Sequence, residues 1–198
     1  MPGKLASAIL AAALLVLCGC AGRDFVRSDA AELKVGKSTF GEVVEKMGQP
    51  RTIGEVLKNG ETVKTFTYAY AATGGEPLQA GVIPARAMAY YFHGDRLVGQ
   101  EFLSSFKSDN SNFDETKVPG IVKGKTTRAE VIRALGPPTT IFIKPMVKET
   151  SGEAIGYSYH TTSGGAFSGF RFYRKTLLVS FDSADRVLEV EYTASGSQ

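Results

Sequence analysis

The sequence predicts an α+β fold made of two tandem units, each a short helix followed by about four antiparallel strands, with the helix packed on one sheet face. Three observations predict it. The stretch at 36–50 (GKSTFGEVVEKMGQP) returns 88 positions later at 124–138 (GKTTRAEVIRALGPP) without a gap. Each copy carries helix start and stop signals. Each copy is followed by runs of alternating apolar and polar residues broken by turn residues.

The helices come first. Thr39 with Glu42, and Thr127 with Glu130, have capping-box spacing. The threonine hydroxyl accepts from the third helical amide, and the glutamate reaches back to the cap. Val43 with Met47, and Val131 with Leu135, fall on one helical face. Gly48 and Gly136 stop the helices, and Pro50 and Pro138 prevent their continuation. A helix of about nine residues is marginal alone and must pack on strands. The Gly-Lys-(Ser/Thr)-Thr start of each copy is not a phosphate loop. The required earlier glycine is replaced by Ala31 and Pro119, and the stretch Asp29 to Lys34 before the first copy is not a hydrophobic strand.

Strands are expected at 51–57 and 62–72, joined at Asn59-Gly60, and at 87–92 and 96–103, joined at Gly94-Asp95. Residues 73–86 read as a loop. Residues 104–117 read as a polar connection held by Phe106 and Phe113. The second unit repeats the order, with strands at 139–144, 154–160, 170–181 and 186–193 and a glycine-rich loop at 161–169. Tyr157 and Tyr159 correspond to Tyr68 and Tyr70, and Phe181 to Phe92. The organisation expected is a signal at 1–19, an acylated tether at 20–31, units at 32–105 and 119–194, and a linker at 106–118.

The beginning of the chain is also informative. Lys4 precedes an unbroken apolar run at 5–17, which is shorter than the roughly 20 residues that span a bilayer and fits the core of a secretory signal. Leu17-Cys18-Gly19-Cys20 follows and resembles the bacterial lipobox. The resemblance implies cleavage before Cys20 and acylation, palmitate included, of that thiol. With Ala rather than Asp after the cysteine, it also implies the periplasmic face of an outer membrane. Several acyl chains anchor firmly where one is marginal.

The repeat motif behind a lipobox resembles the SmpA/OmlA (BamE-like) outer-membrane lipoprotein family. That resemblance implies an envelope protein partner, with outer-membrane assembly machinery as the setting. The tandem arrangement is similar to the β-lactamase-inhibitor-like fold, in which two such units join their sheets into one curved surface.

Catalysis is not expected. The net charge is +3, and about +2 once Lys4 is removed, too balanced for nucleic acid. Both cysteines lie at the start, so no disulfide, cysteine metal site or cofactor site is expected. The two histidines, His93 and His160, lie in different units and read as structural or exposed. Carboxylates such as Glu101 and Glu191 recur with the repeat, which argues for architecture. The aromatics carry the functional expectation. One helix covers one sheet face, so some tyrosines must line the other. Tyr68, Tyr70, Tyr91, Tyr157, Tyr159, Arg171 and Tyr173 are the candidate protein-binding surface, since Tyr and Arg favour such surfaces. The expected function is a non-catalytic protein-binding lipoprotein. The alternatives are an inhibitor of an envelope enzyme, or a small-ligand carrier using the loops at 73–86 and 161–169.

Overall fold

The computed structural model describes residues 22–29, 31–72, 74–148, 152–165 and 167–197. The signal and the lipobox, Cys20 included, lie outside the described residues. Among the described residues, two eight-residue α-helices, α1 (Phe40–Met47) and α2 (Arg128–Leu135), accompany eight strands. These are β1 (Thr52–Lys58), β2 (Glu61–Ala71), β3 (Ala85–His93), β4 (Arg96–Ser104), β5 (Thr140–Ile143), β6 (Glu153–Gly165), β7 (Gly169–Phe181) and β8 (Val187–Gly196).

The expectation of two tandem helix-plus-four-strand units is corrected. All eight strands form one antiparallel sheet in sequence order, β1 to β8. The seam lies at β4–β5, where Gly99, Gln100 and Glu101 pair with Phe142, Ile141 and Thr140. A unit that ended at β4 would leave a row of unpaired backbone groups, and β5 satisfies that edge instead. The described residues therefore form predominantly one sheet with two small α-helices laid on it.

The repeat survives as local wiring on that sheet. Both capping boxes form, with Glu42 N to Thr39 Oγ1 at 3.3 Å and Glu130 N to Thr127 Oγ1 at 3.4 Å. Both helices end on a glycine with positive φ, +77° at Gly48 and +86° at Gly136, with ψ near 180°, a region essentially closed to other residues. Gly36 N donates to the Leu97 carbonyl and Gly124 N to the Val187 carbonyl, each at 2.7 Å. The Tyr68 hydroxyl donates to the Gly48 carbonyl and the Tyr157 hydroxyl to the Gly136 carbonyl, each at 2.8 Å. A strand tyrosine thus ties down the C-terminal end of each helix.

Both helices lie on the same face of the sheet. Val43 is fully buried among Phe66, Tyr68, Met88, Tyr90, Phe92, Leu97 and Phe102. Val131 is fully buried among Ile155, Tyr157, Leu177, Val179 and Phe181. Phe113 and Phe106, in the connection after β4, are also buried.

Three local expectations change. Residues 22–29 are pinned along the first half of the sheet rather than forming a free tether. Gly22 bridges to Tyr70, Phe25 sits edge-on to Tyr68, and Ser28 Oγ lies 2.5 Å from the Tyr90 hydroxyl. The glycine-rich stretch 161–165 belongs to β6, because the hairpin ladder with β7 continues out to Gly165–Gly169. The connection after β4 contains a 3-10 turn, Glu115–Gly120.

The other face is hollow. Val56 and Lys58 of β1 and Arg174 and Leu178 of β7 line one cavity, although β1 and β7 stand six places apart in the strand order. The sheet must curl to bring them together. Small residues on the inner side, Ala87, Ala89, Gly99, Ala154 and Gly156, allow that curl. Gly99 shows the constraint most directly, because a Cβ there would lie 2.5 Å from Phe142 Cδ1. Gly99→Ala should therefore lower stability by about 1–3 kcal/mol through displacement of Phe142, measured as a shifted urea midpoint. An unchanged midpoint would mean that the close approach at the seam is not a constraint.

Candidate functional site

The inner face is built from alternate residues of β1 to β8, opposite the helices. Its cavity has a volume of about 440 Å³ and stands half open to solvent. Val56, Phe142, Met146 and Leu178 supply apolar lining; Lys58, Tyr91, Glu101, Thr140, Ser158, Arg174 and Thr176 supply the polar part.

Glu101 organises the polar part. It projects from β4 beside the seam, paired in register with Thr140. Ser158 Oγ donates to one carboxylate oxygen at 2.7 Å, and the Tyr91 hydroxyl donates to the other at 3.2 Å. Arg174 Nη2 lies 3.9 Å away. The Glu101 side chain is mostly covered, whereas that of Arg174 is mostly exposed. The hydrogen bonds, rather than the distant guanidinium, hold the carboxylate in place. Burial pushes the Tyr91 phenol well above its ordinary value, and the adjacent Glu101 carboxylate pushes it further. His160 sits opposite Arg174 in the β6–β7 register. Burial lowers its pKa, and the arginine charge adds to that. Thr65 Oγ1 and Thr140 Oγ1 are buried without a hydrogen-bond partner.

The sequence-predicted surface residues separate. Tyr91 does line the inner face. Arg171 is exposed near the start of β7. Tyr70 is half-buried and stacks on Phe106 with ring centroids 6.0 Å apart. The Tyr173 hydroxyl is bonded to Glu115 at 3.2 Å. Tyr68, Tyr157 and Tyr159 are buried on the helix face, which takes them out of the expected docking surface. Alternation alone put aromatics on both faces. It did not show that the α1 and α2 cores claim Tyr68 and Tyr157, or that Tyr159 is buried in the same row.

Sequence reasoning passed over Glu101, because its repeat-mate Glu191 made it look architectural. The structure separates the two: Glu191 is exposed on β8, while Glu101 is held in the cavity. The available signal was a carboxylate in the interior of a strand rich in apolar residues, between Gln100 and Phe102. Among the described residues no group of three or more His, Cys, Asp or Glu side chains could hold a metal ion. No described helix is long and apolar enough to cross a membrane.

Comparisons with known proteins add little. No protein-family model matches the chain. No curated protein matches it. Among solved structures, the chain is similar to a protein of Streptococcus mutans described as a candidate β-lactamase inhibitor. The identity is 11%, covering 85% of this chain and 89% of that one, with a TM-score of 0.41. A likeness that loose does not bear on what this chain binds.

The buried tyrosines give a pH test. Burial pushes Tyr157 up to about 12 and Tyr90 up to about 12, above the ordinary value of 10. The unfolded chain then loses these protons first as the solution becomes alkaline. The stability they contribute is complete below pH 10 and is lost as the pH rises towards 12. Tyr157→Phe should cost about 1 kcal/mol near neutrality by losing the bond to Gly136. Its stability should then fall less steeply than the parent's above pH 10. Urea melts at pH 8 and pH 11 check this, and parallel losses would refute it.

Proposed function

We propose that the protein is a lipid-anchored module of the bacterial envelope that binds another protein through the inner face of its curled sheet. One observation carries this reading. The helices cover one face only, and the uncovered face is a trough in which aromatic and aliphatic side chains surround a hydrogen-bonded carboxylate. A loop or extended segment of a partner would lay apolar side chains on Val56, Phe142 and Leu178. Glu101 and Arg174 would fix its orientation, as sparse polar groups do at protein interfaces.

The carrier reading has less support. The cavity lining comes from strands and from Met146, and none of it from 73–86 or 161–169. It is a half-open trough and not an enclosed pocket under those loops. Assembly of outer-membrane proteins, which the SmpA/OmlA resemblance implies, and inhibition of an envelope enzyme would both use the same face. They differ in the partner.

Two experiments test the reading. Cys20→Ala should move the protein from the membrane fraction to the soluble periplasm; a persistent membrane fraction would refute the anchor. A photo-crosslinking residue placed at Val56 or Leu178 in intact cells should capture one dominant partner, and one placed at Val122 on the opposite side should not. Glu101→Arg should reduce that capture about tenfold or more, by placing a cation beside Arg174. β-Barrel assembly subunits in the adduct would indicate assembly, and a secreted enzyme would indicate inhibition. Equal capture from both positions would remove the inner face as the docking surface.

A further inference from the structure

One rim of the sheet carries aromatic side chains that lie beyond the inner trough, with Phe172 reaching back to within 6.5 Å of the His160 ring. β6 and β7 run on past their neighbours as a long hairpin, paired out to Gly165–Gly169. Phe167 at its tip is 107% exposed, and Phe170 and Phe172 behind it are 54% and 55% exposed. Three large apolar rings on one projecting hairpin, with Arg171 between two of them, are unusual on a water-facing surface.

The same rim holds the start of the described chain. Gly22 bridges to Tyr70 near the end of β2. From there Ala72 N donates to the Pro84 carbonyl at 2.9 Å, and Ile83 N donates to the Thr162 carbonyl at 2.8 Å. Val82 also bridges to Ser163. A backbone-paired path thus joins Gly22 to the base of the phenylalanine hairpin. Cys20 lies two residues before Gly22. Two extended residues span about 7 Å at most, so an acyl chain on Cys20 would leave the protein close to this rim.

We infer that this rim rests on the lipid surface, with Phe167, Phe170 and Phe172 inserted at the interface between headgroups and acyl chains and Arg171 meeting lipid phosphates. The inference rests on the acyl-anchor part of the proposed function. Aromatic rings favour the boundary between headgroups and hydrocarbon, and an arginine beside them pairs with phosphate oxygens. A short anchor would otherwise press this rim against the bilayer with three phenylalanines facing headgroups and no apolar contact. With the rim seated, the body is held in one orientation. The opposite rim, which carries the Asn59-Gly60 turn, then points away from the membrane.

The protein contains no tryptophan, which makes the test direct. Phe167→Trp and Leu57→Trp each introduce a single fluorophore, one at the hairpin tip and one near the opposite rim. The full acylated protein is reconstituted on vesicles of phosphatidylethanolamine and phosphatidylglycerol, some carrying lipids brominated near the top of the acyl chains. F167W emission should shift to the blue and be quenched by the brominated lipid. L57W emission should do neither. Vesicle flotation with unquenched F167W emission would overturn the inference and leave the anchor standing. A blue shift without quenching would overturn it too, by placing the hairpin in a protein contact. If Cys20→Ala still floats with F167W quenched, the hairpin inference stands and the anchor reading falls.

Discussion

The pairing of β4 with β5 is the contact on which the rest of the molecule depends. It comprises only three residue pairs, Gly99–Phe142, Gln100–Ile141 and Glu101–Thr140. Neighbouring contacts reinforce it. Phe102 N donates to the Thr139 carbonyl at 2.8 Å, and Ser111 Oγ donates to the Ser158 carbonyl at 2.6 Å. Arg27 Nη2 reaches from the N-terminal segment to the Pro138 carbonyl at 3.0 Å. Asn59 Nδ2 reaches from the β1–β2 turn to the Pro145 carbonyl at 2.7 Å. Three of these ties lie away from the seam strands themselves. They hold the two halves of the sheet at a fixed angle and do more than join an edge.

That angle produces the trough. A sheet that remained flat would place β1 and β7 far apart, at about 4.8 Å per strand spacing. Crowding on the inner side sets the limit to curling. Alanines on β3, Gly99 on β4, and Ala154 and Gly156 on β6 relieve it. Phe142 fills the notch that Gly99 leaves, so the glycine is covered and the backbones can approach. The residues that permit curvature and those that line the cavity are thus the same rows of one face. Curvature and site were built together.

What could be read in the sequence was what short-range chemistry determines. Thr39 and Thr127 cap their helices because hydroxyl and carboxylate sit three residues apart. Asn59 and Gly60 both take positive φ, 50° and 84°, as a two-residue hairpin requires. The single sheet was harder to read, because β5 has four residues and its partner lies some forty positions earlier. A pairing that short and that distant has no local signature, and the repeat drew attention to each half separately. The stretch 161–165 was misread for a related reason. Threonine, serine and glycine mark loops on average, but a cross-strand ladder with β7 outweighs that preference. The buried tyrosines were assigned correctly to strands. Their faces depended on where the helices would lie.

The Glu101 cluster shows why a duplicated sequence need not yield duplicated function. Glu101 and Glu191 hold equivalent places in the repeat, but β4 is interior to the sheet and β8 is its edge. An interior strand has sheet on both sides, so Glu101 meets Tyr91 from the adjacent β3 and, across the short β5, Ser158 from β6. Glu191 has one neighbouring strand and stays in water. Joining the sheets therefore breaks the symmetry that duplication created. A partner covering the trough would strip water from Glu101 and Arg174 together. With both present, that desolvation is offset by their mutual attraction; with either removed, it leaves a lone charge, which costs several kcal/mol. A wholly apolar segment gains nothing from the pair, whereas one with a donor for Glu101 or a carboxylate for Arg174 does. The trough selects by polar register as well as by shape.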